Sequence, residues 1–507
     1  MVPYWDPRTQ PCLPALTTAG LPSRLGLIEA FEKADDHQGV AGRHPGETLA
    51  MLELLRAVLY AADVYPETSS EWRTWVTSRR PFTDVADWLR QQPDERWNLF
   101  HPDRPLFQNA LLAPFMNQHG VGTSQIVLQH VGDYVQLFDR HHLHHGEPLT
   151  AADAFMAVIT QHVCGNGGRG MIPGSLLGAA LNNQAMCRAG QRVHVTALGQ
   201  TLGDALRLNL HPHDGDPGSY NYTWTDRPRR SFTAKPTARV PDGPADLHSI
   251  LGRSILTRPA RLPDGSWGVD RVLMGAGDIV DLTHASALQD AVIDKGVPLK
   301  ASAARALWRE AHSLYAATAR REKGMDLYGR LAMLPEGHRV TLWTVGLLAR
   351  PGKLIAWVND SFPYIPGRET ALRQASEEGC AIAEYVAAAL DDAAYAAWRI
   401  AYPNSKPADK QSQLARFKAA GEHFAATEPL FHELLDEAAE GTPVPEALAT
   451  YATEVRLNAK RFLTDRLRSL PPSSQGHRAT TEAREKLDDI LNHPLKAPTY
   501  LRQEQPA

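Results

Sequence analysis

Cysteine is scarce in this 507-residue chain, and Cys12, Cys164, Cys187 and Cys380 lie far apart with no C-x-x-C pair among them. That spacing argues against a disulfide framework and a thiolate zinc site, and it fits a reducing compartment. Long apolar runs are missing too. No uninterrupted stretch reaches about 18 residues, which excludes an ordinary membrane-spanning helix, so no membrane is expected among the partners. The opening Met-Val-Pro-Tyr-Trp-Asp-Pro lacks a charged segment followed by an apolar one; no secretory signal is read there, and a cytoplasmic location is expected. Charge of one sign is absent as well, since 53 Lys+Arg stand against 57 Asp+Glu for a net −4. The molecule is no polycation, and any contact with nucleic acid has to rest on local patches or on more strongly charged members of an assembly. Catalytic signatures are lacking: no GxSxG elbow, no Walker lysine loop, no helicase signature, and no glycine fingerprint in strand–loop–helix context with a downstream acid. Nothing calls for a cofactor.

What is present is an ordinary globular composition, 43% hydrophobic and 22% charged, in a chain long enough for two to four domains. Up to residue 366 the texture is mixed. Helical runs at 46–62 and 148–162 alternate with strand-like runs at 193–195, 340–348 and 354–358, and residues 212–244 read as an extended Pro/Gly-rich loop. From residue 367 the spacing is helical throughout, in runs at 368–402, 407–441, 445–470 and 476–491, with Pro429 expected to kink or split the second. The fold class expected is α+β, a large mixed domain over 1–366 followed by a C-terminal four-helix bundle over 367–507.

The richest local signal is Cys-Gly-Asn-Gly-Gly-Arg-Gly at 164–170. Gly165, Gly167, Gly168 and Gly170 leave backbone with little bulk, while Asn166 and Arg169 add a polar group and a cation. Such backbone either turns tightly between packed elements or presses N–H groups against a phosphate or a shallow groove. At 345–358 two apolar runs flank a Pro-Gly turn, giving a hairpin whose tip carries Arg350, Pro351, Gly352 and Lys353. Residues 451–470 hold five cations against two acids; on that helix Arg456 and Lys460 share a face suited to a displaced DNA strand, with Leu457, Phe462, Leu463 and Leu467 as the apolar stripe. Tyr220, Tyr222 and Trp224 precede Arg227, Arg229, Arg230, Lys235 and Arg239, a weak pattern for base stacking. The segment 139–147, D-R-H-H-L-H-H-G-E, offers an alternative: a metal-dependent enzyme using His141 and His145 with Asp139 and Glu147, although no HExxH or facial-triad spacing accompanies it.

The motifs resemble, in order, those of one family. The segment 97–108, W-N-L-F-H-P-D-R-P-L-F-Q, is similar to the F-x-L-F-H-P-x-R-P-F-x-Q segment of the large subunit of the type I-E CRISPR Cascade complex, the CasA family. Residues 25–32 with the 47–62 helix, Q-L-F-D-R-H at 136–141, the stretches 246–262 and 306–310, and the helical C-terminal end fit the same order. The resemblance implies a non-catalytic subunit at the 5′-handle end of a crRNA-guided complex. It implies recognition of the protospacer-adjacent motif (PAM) of double-stranded DNA from the minor groove, opening of the duplex into an R-loop, and help in recruiting the downstream effector. The partners implied are crRNA, target DNA, the backbone, handle-binding, small and crRNA-processing Cascade subunits, and downstream helicase–nuclease or transposition proteins. Gly165 to Gly170 match the family's glycine loop by place and composition, and Phe138 and Arg140 fall in an L1-like loop that meets the RNA handle or a neighbouring subunit. Two departures stand out. The wedge hairpin aligns with 348–354 but has no glutamine, and the family's lysine finger is replaced by Met-Gly-Ala-Gly at 274–277. The motif preferred here is therefore expected to differ or to be relaxed.

Overall fold

Alternation in the first strands places Leu13 and Ala15 inward, and β1 (Leu13–Thr17) pairs with both β2 (Pro22–Leu25) and β3 (His37–Val40) in the order β2-β1-β3. The structure, a computed structural model, describes residues 2–128, 147–169, 182–226, 237–284, 288–294, 297–302, 305–319, 326–350 and 353–502. The chain divides into two units, one of Met1–Leu307, Arg321–Pro335 and Val340–Ser361, the other of Trp308–Arg320, Glu336–Arg339 and Phe362–Ala507.

In the first unit, α1 (Pro45–Ala61) is apolar nearly all round and buried along its length, as a central helix must be. His44 caps it, its Nδ1 accepting from the Glu47 N–H at 3.3 Å, and Pro45 opens the first turn, where its missing N–H costs nothing. α2 (Ala151–Cys164), capped by Thr150, packs against α1 and is almost as fully buried. After it come the short pair β4 (Gly168–Arg169) and β5 (Asn183–Gln184), then β6 (His194–Leu198). β7 (Arg253–Arg261) and β8 (Trp267–Ala276) form a long antiparallel ladder with Arg253 opposite Ala276. β9 (Val340–Arg350) and β10 (Lys353–Tyr364) complete a sheet of order β10-β9-β6. Pro351 and Gly352 lie between those strands, outside the described residues.

The 97–108 segment acts as internal glue. Gln108 is fully buried, its Nε2 donating to Leu99 O at 2.7 Å and its Oε1 accepting from both the N–H and the hydroxyl of Thr257 on β7. Phe107 adopts a left-handed φ of 58°, costly for a bulky residue. It is held there because its N–H meets Tyr222 O and its carbonyl accepts from His162 Nε2 at 2.8 Å. Here the base-stacking expectation for Tyr220, Tyr222 and Trp224 is corrected. Tyr220 and Tyr222 lie 4.6 Å apart between centroids and pack on Trp97, and Trp224 is buried with its indole N–H on Arg253 O. Arg239 is occupied by Asp246 and Asp278, while Arg227, Arg229, Arg230 and Lys235 lie outside the described residues.

In the second unit the alanine-rich α3 (Glu369–Ala401) packs against α4 (Ala420–Glu440), α5 (Val444–Leu467) and α6 (Ser474–Leu491). α4 runs unbroken through Pro429, contrary to the expected kink or split. Pro429 is exposed, and so is Ala425, whose carbonyl it releases, so water can take up the lost hydrogen bond. The buried face of α5 is Tyr451, Val455, Ala459, Leu463 and Leu467; Leu457 is 55% exposed and Phe462 only half-buried, so both fall off the expected stripe. No helix among the described residues is long and apolar enough to cross a membrane.

Candidate functional site

The glycine stretch begins where α2 ends. Gly165 caps the helix, its N–H donating to Gln161 O at 3.0 Å, and its φ of −49° is one any residue adopts. Glycine is needed there for closeness. A Cβ at 165 would stand 2.5 Å from Gln161 O and 2.8 Å from the guanidinium carbon of Arg253. Gly165 O accepts from the Cys187 N–H at 2.8 Å, and β4 pairs with β5 through Gly168↔Gln184 and Arg169↔Asn183. At Gly167 a Cβ would meet Met186 N at 3.2 Å, tight but less so. Replacing Gly165 with alanine should therefore destabilise the fold by about 1–3 kcal/mol, the usual range for overpacking, and Gly167→Ala by less. Denaturant unfolding of the two variants checks the order; equal losses would contradict the packing described.

Two bridges connect this loop to the hairpin. On one side the turn Arg188–Gln191 follows Cys187 directly, and Gly190 within it packs between Met186 and Leu347 of β9, a Cβ there standing 3.5 Å from Leu347 Cδ2. On the other side the Cys164 thiol lies 3.7 Å from Gly46 O, and Gly46 is pressed against the indole of Trp357 on β10. His44 stacks on the same indole, centroids 5.2 Å apart at 20°. From Leu347 to Arg350 a strand advances about 10 Å at the usual rise. Loop and hairpin thus grow from one support.

That support has an ionic interior. Glu53 and Arg56 of α1, Arg188, Arg192, His194 of β6, His248 and Asp290 are all buried and joined. Arg188 contacts Glu53 and reaches Asp290 Oδ2 at 3.1 Å, Arg192 reaches Asp290 at 2.5 Å, and His248 Nδ1 donates to Glu53 at 2.7 Å. Burial alone would raise the Glu53 and Asp290 carboxyls, but the neighbouring arginines and histidines outweigh it and hold both below the ordinary carboxylate range.

The remaining sequence candidates fall as follows. Gly165, Asn166, Gly167 and Gly168 are brought together, Arg169 contributes its backbone to β4, and Gly170 lies outside the described residues. Arg350 closes β9 and Lys353 opens β10. Phe138, Arg140, Asp139, His141 and His145 lie outside the described residues; Glu147 is exposed. The strand-path reading of Arg456 is corrected. The residue is 6% exposed and fastens α5 to the chain beyond α6, Nη1 donating to Asn492 Oδ1 at 2.9 Å and to Leu501 O at 2.6 Å. Lys460 is half-buried and pairs with Asp488 on α6 at 2.6 Å. Residues 274–276 are the buried end of β8, with Met274 and Ala276 inside, and Gly277 just beyond it is pressed on Gly252 and Arg253. Sequence reading missed Arg253, His162 and the Glu53–Arg188–Asp290 cluster, because isolated charges carry no periodic signal.

The profile of the family described as CRISPR-associated protein Cse1 matches residues 8–462. No curated protein matches the sequence. Among solved structures, Cse1 from Acidimicrobium ferrooxidans aligns with a TM-score of 0.76 at 21% identity, over 96% of this chain and 97% of that one. Cse1 from Thermobifida fusca aligns at 0.76 and 20%, over 96% and 98%. A chain from a structure described as a CRISPR RNA-guided surveillance complex aligns at 0.71 and 18%, over 96% and 99%. At such identities the solved structures speak for the fold, and the profile match over most of the chain speaks for the family. This chain belongs to the family of CRISPR-associated protein Cse1.

Proposed function

We propose that this protein is the non-catalytic large subunit of a crRNA-guided type I-E Cascade complex. In this reading it inspects the protospacer-adjacent motif of duplex DNA from the minor groove, promotes opening into an R-loop, and helps recruit a helicase–nuclease or transposition machinery. The observation that carries the reading is the common root of the glycine loop and the hairpin. Two elements built for close backbone approach and for cationic contact rise from one rigid support, an arrangement suited to gripping a duplex while a guide invades it. Base pairing supplies sequence choice, and strand exchange is nearly balanced, so the subunit has only to contribute a few kcal/mol at nucleation. A chain of net charge −4 with local cations is adequate for that. Phe138 and Arg140 are proposed to meet the RNA handle or a neighbouring subunit, and Lys460 is proposed to lie along the path of the displaced strand.

Arg350→Ala with Lys353→Ala tests the reading in the assembled complex. Binding to a closed, guide-matched duplex should weaken, and the slope of log affinity against log salt should shrink by about 2, one for each phosphate no longer neutralised. Binding to the same target with a pre-opened bubble should be spared. Equal loss on both substrates, or an unchanged salt slope, would sink the wedge role.

A further inference from the structure

Beneath the glycine loop lies a charge that is 1% exposed and, among the described residues, faces no carboxylate: Arg253. Its Nη1 donates to Gly252 O at 2.8 Å and its Nη2 to Asn166 O at 2.7 Å, while Nε is buried without a partner among the described residues. Gly165 packs directly on the guanidinium. The backbone of Arg253 is equally fixed. Its N–H donates to His162 Nδ1 at 3.2 Å, and its carbonyl accepts from the Trp224 indole at 2.9 Å. His162 in turn donates from Nε2 to the strained Phe107 carbonyl, so a chain of contacts runs from the 97–108 segment through His162 and Arg253 to the loop.

Burying a guanidinium without a counter-ion is costly, and an apolar side chain of similar volume would fill the space more stably. What the arginine alone supplies is a planar fork that holds two carbonyls on two segments at once. The consequence lies in the peptide between Asn166 and Gly167. A trans peptide points its C=O and N–H in opposite directions. With the Asn166 oxygen drawn inward to Arg253, the Gly167 N–H is turned the other way, and the buried positive charge polarises the same peptide.

We propose that Arg253 is the positioning residue of the glycine loop, fixing the Asn166–Gly167 peptide so that the Gly167 N–H is presented to a phosphate oxygen of the incoming duplex. The proposal rests on the nucleic-acid reading of the loop. It deepens that reading by naming the group that sets the loop's donors and the ligand atom they take.

The test uses assembled complexes carrying Arg253→Lys, Arg253→Gln or Gly167→Leu. The probes are a closed, guide-matched duplex with randomised flanking base pairs and the same target with an unpaired bubble. Both Arg253 variants should lose about tenfold or more on the closed duplex, the size of one lost hydrogen bond to a charged group, and bind the bubble target normally. Arg253→Lys should do no better than Arg253→Gln, because one ammonium cannot span both carbonyls in the fork geometry. Should Arg253→Gln fail to assemble, Arg253→Lys decides, since it keeps the charge. Equal loss on both targets would mean a merely structural role and overturn the proposal, as would normal closed-duplex binding by both Arg253 variants. Loss by Gly167→Leu alone would leave the loop reading standing and remove Arg253 from it. Normal binding by Gly167→Leu would end the loop reading, and this proposal with it.

Discussion

Replacing Arg188 with methionine should lower the stability of the first unit by about 3–5 kcal/mol, the cost of removing one partner from a buried ionic cluster. The volume change is small, so the loss is electrostatic in origin. Arg188 joins Glu53 on α1 to Asp290, and both acids are buried. Without it Glu53 keeps Arg56 and His248, and Asp290 keeps Arg192 and His194, but each loses the cation that most opposes its desolvation. Denaturant unfolding should show a lower midpoint with little change in slope. Pairing Arg188→Met with Glu53→Gln should recover part of the loss, because the two residues share one interaction; strictly additive losses would show that the cluster is not coupled. The effect reaches the candidate site as well. Arg188 follows Cys187, whose N–H holds Gly165 O, so closed-duplex binding should fall with stability in this variant.

Why such a cluster escaped sequence reading is a matter of distance along the chain. Glu53 and Arg188 are 135 residues apart and Arg188 and Asp290 are 102 apart, and nothing in their neighbours distinguishes them from solvated charges. Periodic segments behaved differently. The apolar run at 46–62 is the helix Pro45–Ala61, and the runs at 340–348 and 354–358 are two strands longer than expected, Val340–Arg350 and Lys353–Tyr364. Apolar spacing is local and is written in every turn of a helix, so it survives without an alignment. The polarity of a single face is less legible. Arg456 has the spacing of a solvated cation, yet it is buried because Asn492, just past α6, and the Leu501 carbonyl offer it acceptors. Tyr220 and Tyr222 looked like stacking platforms beside arginines, but Trp97 and Phe107, over a hundred residues earlier, already occupy their faces. The glycine loop was legible as backbone that must come close to something. The partner of that closeness, on one side at least, is Arg253 of the same chain.

Lowering the pH from 7 to 5 should weaken the first unit through histidines that the fold keeps neutral, by at most about 2 kcal/mol at each. His44, His194, His211 and His248 all sit below the ordinary histidine value, with burial the largest cause at each. His44 is pushed down to about 4, and its Nδ1 must stay unprotonated to cap α1. His211 accepts from the Arg330 guanidinium at 2.6 Å, which a protonated ring could not do. His194 and His248 donate to Asp290 and Glu53, but burial outweighs the pull of those carboxylates. The unfolded chain protonates its histidines near pH 6.5, so below that value it binds more protons than the folded chain. Stability must then rise with pH across this window and be lost as pH falls through it, up to a ceiling of about 2 kcal/mol per histidine between pH 6.5 and 5. Glu53 and Asp290 add nothing to the drop. Their folded values are depressed, so they stay ionised at pH 5, and their contribution is lost only as the pH falls further, through those depressed values. Chemical denaturation at pH 7, 6 and 5 reads the difference directly. A flat profile would mean that the folded chain takes up protons as readily as the unfolded one, and that the ionic interior beneath the loop is open to water.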